Sequence, residues 1–361
     1  MVKPILAAML SCEGTVLTDE EKHLFAEYNP LGITLFNRNI KNSHQVKKLV
    51  EDIKNTINRD DVLIAVDEEG GRVSRLKMIA KIKKIANQQF ASEEDLAKAP
   101  CKYTKIHAEL ISEQLNKLGI NTNYAPVVDK KSKTQNAVLQ GRCFSANTDK
   151  IIEYATVMAD TFMKQGICPC IKHVPGHFAL NSDPHLEQLE INISLEDIYK
   201  EVDYLQAFKN YPMIMTAHIK LNTIDNQYPI TMSKKGIDSL LRKHLSLKNF
   251  LISDAIDMRA LPGSMVEKAI NCWDAGIDAI CYCGGQYNHL YDICQTKRFL
   301  TEKAEIRFAN IKKVIHNKPQ LVDISEQQTA YYQKFKDVLN KTYAYDATEV
   351  LNQMLLKGEA K

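Results

Sequence analysis

The residues best suited to chemistry are concentrated between positions 171 and 185, which read I-K-H-V-P-G-H-F-A-L-N-S-D-P-H. Three histidines, one lysine and one aspartate fall in this short stretch, directly after an apolar run. Buried His, Lys and Asp need partners to offset their lost hydration, so a purely structural core segment is disfavoured. Pro175, Gly176 and Pro184 favour a loop over a helix. We therefore predict an active-site loop at the end of a buried strand.

A carboxylate elsewhere in the chain, Asp254, ends the apolar run F-L-I-S-D-A and is the best candidate for a nucleophile. The same side chain could instead cap the helix that follows. A carboxylate that attacks the anomeric carbon of a sugar needs an acid on the other side of the bond. His185 suits that role because an unperturbed imidazole titrates near neutrality. Asp183, two residues earlier, could fix the tautomer of His185 and raise its pKa.

A zinc site built from His173, His177 and His185 is the main competing interpretation of this loop. The first two histidines have the i,i+4 spacing of ligands on a helix. Pro175 and Gly176 lie between them, however, and disfavour a helix there. We predict neither a metal nor a cofactor, and a metal-dependent barrel hydrolase stays open as an alternative.

The elements that must position these residues are short apolar runs, each followed by a longer helical pattern. Continuous apolar runs are typical of parallel strands buried on both faces. Eight such runs are found, at Pro4–Leu10, Gly32–Phe36, Val62–Val66, Asn121–Val128, Cys168–Val174, Pro212–Ile219, Phe250–Ser253 and Ala279–Cys283. Eight βα alternations predict a single-domain (β/α)8 barrel. A doubly wound open sheet is the alternative, but no G-x-G-x-x-G follows an early strand.

In such a barrel the carboxyl ends of the strands meet at one face, where the chemistry of the fold is found. Polar residues follow five of the predicted strands, which places them on that face. No Pro/Gly/Ser-rich linker divides the chain. We therefore expect residues 1–361 to form one catalytic barrel, with 301–361 as a helical C-terminal extension packed on it.

Composition describes an ordinary globular protein of 361 residues, 45% hydrophobic and 25% charged. A net charge of +3 with scattered lysines predicts no nucleic-acid partner. No apolar run approaches the roughly 18 residues of a membrane span, so no membrane partner is expected. Nine cysteines, an odd number without a disulfide rhythm, indicate reduced thiols and a cytoplasmic location. A monomer is favoured, although the sequence leaves the oligomeric state open.

With these motifs in view, the chain resembles the bacterial β-N-acetylhexosaminidases of glycoside hydrolase family 3. The resemblance runs from about Ile5 to about Cys283. It rests on G-I-T-L-F-N-R-N, D-E-E-G-G-R-V-S-R, N-T-N-Y-A-P-V-V-D, G-R-C-F-S, K-H-V-P-G-H, D-P-H and I-S-D-A-I-D-M, in the order of the family. It implies a barrel enzyme that removes terminal β-linked N-acetylglucosamine with retention of configuration.

The resemblance also implies roles for individual residues. It makes Asp254 the nucleophile and His185 the acid/base, assisted by Asp183. The implied substrate-binding residues are Asp67, Arg75, Arg142, Lys172 and His173. The implied partner is a carbohydrate, because cytosolic single-domain members trim N-acetylglucosamine (GlcNAc) from 1,6-anhydro-N-acetylmuramyl (anhydroMurNAc) peptides during peptidoglycan recycling.

Four residues depart from the usual family pattern, namely Val174, Phe178, Pro184 and Ala255. None of them removes a catalytic atom, but each could alter the mobility of a loop or the rate. Phe178, Pro184 and Ala255 leave open a catalytically weak or silent GlcNAc-binding relative. A phosphorylase that uses the same site is a further alternative, since a neutral histidine base repels phosphate less than a carboxylate does.

Overall fold

A computed structural model of the chain describes residues 3–80, 90–132, 139–178, 189–319 and 325–339. Within these ranges eight parallel strands close into a barrel, and each strand pairs with its neighbours along the chain. The strands are β1 Leu6–Leu10, β2 Pro30–Leu35, β3 Leu63–Val66, β4 Thr122–Asn123, β5 Cys168–Val174, β6 Met213–Thr216, β7 Phe250–Ala255 and β8 Ala279–Cys281. The predicted (β/α)8 barrel is confirmed, and each strand overlaps its predicted run.

Helices surround the barrel. The α-helices of eight or more residues are Asp19–Tyr28, Ser43–Ile57, Lys102–Leu118, Thr148–Lys164, Leu195–Val202, Met265–Ala275, Tyr287–Gln295, Glu302–Ile315 and Ser325–Leu339. Capping explains several of their starts. Thr18 forms a capping box with Glu21, and Ser264 forms one with Glu267, so two otherwise unpaired backbone groups are satisfied at each helix start.

One helix differs from its prediction. The pattern from Ser233 to Leu245 predicts an ordinary helix, whereas Gly236–His244 forms a π-helix. The apolar periodicity of the two helix types is too similar over nine residues to separate them. Leucines 240 and 241 are buried in either case.

Alternating side chains of the strands build two apolar layers. In β1, Ala7 and Met9 contribute to the layer inside the barrel, while Leu6, Ala8 and Leu10 pack outward against the helices. Inside and outside are therefore both closed by apolar contacts, as the continuous apolar runs predict.

Close strand pairing depends on a glycine in β2. Gly32 lies beside Leu63 of β3, and a Cβ at this glycine would lie 2.1 Å from the carbonyl oxygen of Leu63. Any larger residue would push β2 and β3 apart.

The helix Glu302–Ile315 packs across the amino end of the barrel. The ring centres of Phe308 in this helix and Phe250 at the start of β7 are 6.2 Å apart.

Two small strand pairs flank the carboxyl end of the barrel. Glu68–Gly70 pairs antiparallel with Val73–Ser74, and Leu189–Ile191 pairs parallel with Ile219–Leu221. The first pair follows β3 directly and folds the D-E-E-G-G-R motif into a tight turn. No helix in the described ranges is long and apolar enough to cross a membrane.

Candidate active site

The carboxyl ends of β3, β5 and β7 bring four of the predicted site residues together. Asp67 follows β3, Lys172 and His173 lie in β5, and Asp254 lies in β7. The ammonium nitrogen of Lys172 is 2.7 Å from Oδ1 of Asp67. Nε2 of His173 is 3.8 Å from Oδ2 of Asp254. The predicted convergence at one face of the barrel is therefore found for these residues.

A buried ion-pair network links the predicted cations of the site through Glu69. Arg142 donates from Nε and from Nη2 to the two oxygens of Glu69, at 2.8 Å each. Lys172 Nζ lies 2.6 Å from the same carboxylate. Burial disfavours the charged carboxylate, but Arg142 and Lys172 outweigh it and hold the pKa of Glu69 below its ordinary value.

Lys172 is only 2% exposed along its side chain and still keeps its charge. Burial alone would lower its pKa, but the carboxylates of Asp67 and Glu69 raise that pKa above the ordinary value. The ammonium group can therefore act as a fixed hydrogen-bond donor at the base of the site.

The guanidinium group of Arg75 lies between Asp67 and the ring of Phe36. Its Nη2 lies 3.4 Å from Oδ2 of Asp67, and its guanidinium carbon lies 5.6 Å from the centre of the Phe36 ring. Nε and Nη1 are buried and have no hydrogen-bond partner within the described part of the chain. Buried donors in this state lower the stability of the folded protein.

Asp254 is held by its own backbone and by its neighbours. Its Oδ1 accepts a 2.7 Å hydrogen bond from the N–H of Ala255. His218 at the end of β6 lies 3.0 Å, through Nε2, from the carbonyl oxygen of Ala255. Burial lowers the pKa of His218 to about 4, so this imidazole is neutral at working pH. It donates from Nε2 and fixes the backbone on which Asp254 lies.

Asp129 is a site residue that sequence reasoning missed. One oxygen accepts from the backbone N–H of His173 at 3.0 Å and lies 2.8 Å from Nδ1 of that ring. The other oxygen does the same for His177, at 2.7 and 3.0 Å. Because burial lowers the pKa of His173 and its Nδ1 donates to Asp129, Nε2 of the His173 ring is an acceptor. The signal in the sequence was the last residue of N-T-N-Y-A-P-V-V-D, an aspartate after a predicted strand.

Its interactions with the two histidines explain why Asp129 can be fully buried. Burial opposes ionisation, yet His177 and His173 hold the pKa of Asp129 well below its ordinary value. Burial in turn lowers the pKa of His173, against the opposing effect of Asp129. The result is one carboxylate that orients two rings, whose centres are 4.8 Å apart.

Two of the three histidines of the competing zinc site, His173 and His177, lie close together. Ligand atoms of Asp129, His173 and His177 all lie within 4.8 Å of one another. A cation bound to the Nδ1 atoms would have to displace both of their bonds to Asp129. His185, the third predicted ligand, lies outside the described residues, as do Asp183 and Pro184.

Glu93 is a second carboxylate that sequence reasoning missed. Both of its oxygens accept from the N–H of Val127, at 3.0 and 3.2 Å. Burial, together with the charge of Glu69, raises the pKa of Glu93 well above its ordinary value. Glu93 is thus protonated and neutral, whereas the neighbouring Glu69 is ionised. No periodic or motif signal in the sequence marks it.

Comparison with known proteins decides the family. Residues 6–315 match the family described as Glycosyl hydrolase family 3 N terminal domain. The chain belongs to glycosyl hydrolase family 3. The predictions of this family and of a glycoside hydrolase are therefore confirmed, and a carbohydrate is the class of substrate.

Individual relatives agree with this family. Beta-hexosaminidase of Haemophilus influenzae is 25% identical over 92% of this chain and 96% of its own length. Beta-hexosaminidase A of Pseudoalteromonas piscicida is 29% identical over 73% of this chain, which spans about half of that relative (47%). The structure of native NagZ from Neisseria gonorrhoeae superposes with a TM-score of 0.78 at 23% identity, covering 94% of this chain and 99% of that chain. This last likeness concerns the fold.

Proposed function

We propose that this family 3 protein is a retaining exo-β-N-acetylglucosaminidase that removes terminal β-linked GlcNAc. The observation that carries the proposal is the approach of Asp254 to His173, beside the network of Asp67, Glu69 and Lys172. A carboxylate at a strand end, next to a group of fixed donors, can attack a sugar that those donors hold. The similarity to beta-hexosaminidases supports the same activity.

The reaction proceeds in two steps. An oxygen of Asp254 bonds to C1 while the bond from C1 to the leaving oxygen breaks, and an acid gives that oxygen a proton. Water then attacks C1, the bond to Asp254 breaks, and the same group takes the proton of the water. His185, assisted by Asp183, is our candidate for this acid/base, and it rests on the sequence alone.

In this proposal several side chains bind the sugar, each through a different group. Lys172 and Arg142 are positioned by Glu69, and Arg75 lies beside Asp67; such cationic donors can bind hydroxyl or acetamido oxygens. His173 presents Nε2 as an acceptor, because its Nδ1 donates to Asp129. These donors and this acceptor suit a neutral ligand that is rich in hydroxyl groups.

We further propose GlcNAc-1,6-anhydroMurNAc-peptides as natural substrates and the cytoplasm as the location. The first rests on the resemblance to single-domain family members. The second is supported by the cysteines: all nine lie within the described ranges, and none forms a disulfide bond. Residues 1–361 acting as one catalytic unit is part of the same proposal.

Hydrolysis of an aryl N-acetyl-β-D-glucosaminide tests the assignment of the nucleophile. Asp254→Asn should lower kcat by at least about 10³-fold, as expected when a nucleophile is lost. The matched control is Asp257→Asn, because Asp257 lies on the same segment but bonds to the backbone of Cys283. Unchanged turnover in Asp254→Asn would refute the assignment. No turnover by the wild type would favour a silent GlcNAc-binding relative.

The products test the rest of the proposal. The first sugar released should be the β-anomer, which proton NMR detects before mutarotation, and an α-anomer would contradict retention. In phosphate buffer the product should be free GlcNAc, whereas GlcNAc-1-phosphate would favour the phosphorylase. His185→Ala should lose activity on unactivated glycosides more than on aryl glycosides, because an aryl leaving group needs less protonation.

A further inference from the structure

Tyr331 connects the last described helix to the centre of the molecule. Its side chain is fully buried, and its hydroxyl oxygen accepts a 2.8 Å hydrogen bond from the N–H of Ala91. The same hydroxyl lies 2.8 Å from Nδ1 of His107. Tyr331 belongs to the helix Ser325–Leu339, which lies beyond residues 6–315 that match the family.

The direction of these bonds follows from the donors. The Tyr331 oxygen accepts from Ala91, and donation of the Tyr331 proton to Nδ1 of His107 gives that proton a partner as well. Burial lowers the pKa of His107 to about 3, while the adjacent backbone of Glu69 opposes that shift. His107 is therefore a neutral imidazole.

Both partners of Tyr331 touch the Gly70–Gly71 turn. A Cβ at Gly70 would lie 2.2 Å from the carbonyl oxygen of Ala91 and 2.9 Å from Cε1 of His107. Gly70 has a φ of +86°, and the N–H of Gly71 donates to Phe90 at 2.9 Å. The turn is thus enclosed by the groups that Tyr331 fixes.

This turn directly follows Glu69, the carboxylate that holds Arg142 and Lys172. We propose that Tyr331 is a positioning residue for sugar binding. Its hydroxyl fixes Ala91 and His107, these fix the glycine turn, and the turn fixes Glu69. The inference rests on the proposed function, because it assumes that Arg142 and Lys172 hold the sugar.

Tyr331→Phe is the direct test, since it removes the hydroxyl and keeps the ring. It leaves two buried polar groups, the Ala91 N–H and His107 Nδ1, without their partner, so the turn relaxes. We expect KM for an aryl N-acetyl-β-D-glucosaminide to rise at least about fivefold, with kcat changed by less than about twofold. That split is expected because Arg142 and Lys172 would hold the sugar in ground and transition state alike.

Two control variants separate positioning from plain stability. Tyr332→Phe removes a neighbouring hydroxyl that bonds within its own helix, to Gln328, and should leave KM unchanged. Phe335→Leu loosens the same helix, where Phe335 packs 4.9 Å from Tyr331, without removing the hydroxyl. The proposal would be overturned if Phe335→Leu and Tyr331→Phe had the same melting temperature and raised KM by the same factor. In that case the hydroxyl would not be the link between the helix and Glu69.

Hydrogen exchange of the wild type gives a test that needs no variant. Coupling between two sites is reciprocal, so saturating N-acetylglucosamine should slow amide exchange at Ala91 and in Ser325–Leu339. The helix Tyr287–Gln295, which packs on Met265–Ala275, is the internal control. An active wild type with an unchanged KM in Tyr331→Phe and no slowing in the last helix would overturn this inference alone. A wild type without turnover would remove the proposed function itself.

Discussion

Replacing Glu68 by Gln should stabilise the protein at alkaline pH and have little effect at acidic pH. Glu68 is fully buried beside the site, and its Oε2 accepts from the N–H groups of Arg75 and Leu76, at 2.9 Å each. Its Oε1 is buried without a hydrogen-bond partner among the residues described. A glutamine keeps a carbonyl oxygen for the two N–H groups and never carries the charge.

The magnitude follows from the pKa of the buried carboxyl. Burial raises the pKa of Glu68 from its ordinary value of 4.5 to about 7, and the hydrogen bonds from the N–H groups of Leu76 and Arg75 only partly oppose this. Between pH 4.5 and 7 the unfolded chain loses this proton and the folded chain keeps it, so the free energy of unfolding falls as the pH rises. At about 1.4 kcal/mol per pH unit, the loss reaches about 3 kcal/mol by pH 8.

Glu68→Gln removes this pH-dependent loss of stability, because glutamine does not ionise. Its free energy of unfolding should therefore match that of the wild type near pH 4.5 and exceed it by about 3 kcal/mol at pH 8. With an unfolding entropy of about 2.1 cal/mol/K per residue over 361 residues, that difference is about 4 °C in melting temperature. Urea unfolding at pH 5, 6, 7 and 8 measures the free energies directly.

The control and the refuting result are both defined by the pH profile. Glu51→Gln removes a carboxylate from an exposed position of the helix Ser43–Ile57 and accounts for the general effect of a lost charge. If the wild-type and Glu68→Gln curves run parallel from pH 5 to 8, the raised pKa of Glu68 is wrong. If Glu68→Gln is less stable at every pH, the amide does not replace the carboxylate as acceptor for the turn.

Three further predictions concern the residues around the nucleophile. Asp129→Asn should lower kcat/KM by about 10- to 100-fold, because an amide cannot accept all the bonds from His173 and His177; wild-type kinetics in this variant would contradict the proposed orientation of the rings. Glu69→Gln should lower the free energy of unfolding by about 3–5 kcal/mol, because it leaves Lys172 and Arg142 with one carboxylate fewer, and urea titration measures the loss. Dialysis against EDTA should leave kcat/KM unchanged within about twofold, and loss of activity that zinc restores would favour the metal-dependent alternative.

The sequence predicted those parts of the site that depend on the position of a residue along a strand. Asp67 and Asp254 follow apolar runs and Lys172 lies near the end of one, and parallel strands in a barrel present such positions at one face. That rule needs no knowledge of the partners of a side chain. It therefore predicts convergence well and says little about what each group contacts after convergence.

The sequence did not predict the hydrogen-bond and ion-pair partners of the site residues. Glu69 bonds to Arg142 across 73 positions, and Asp129 bonds to His173 across 44. Spacing alone does not distinguish the three adjacent carboxylates after β3, and only the family resemblance selected Asp67. Burial and neighbouring charge separate them in the folded chain: Glu68 has a raised pKa, Glu69 a lowered one, and Asp67 pairs with Lys172.

The pairing of cations with carboxylates also bears on the choice between hydrolysis and phosphorolysis. A sugar brings no charge, so cations buried in a sugar site must find their counter-charges within the protein. Lys172 does so with Asp67 and Glu69, and Arg142 does so with both oxygens of Glu69. A phosphate ion entering the site would have to compete with these carboxylates for the same donors and would be repelled by them. The network therefore favours water as the second substrate, and phosphate added to the assay should act, if at all, as a weak inhibitor and not as an acceptor of the sugar.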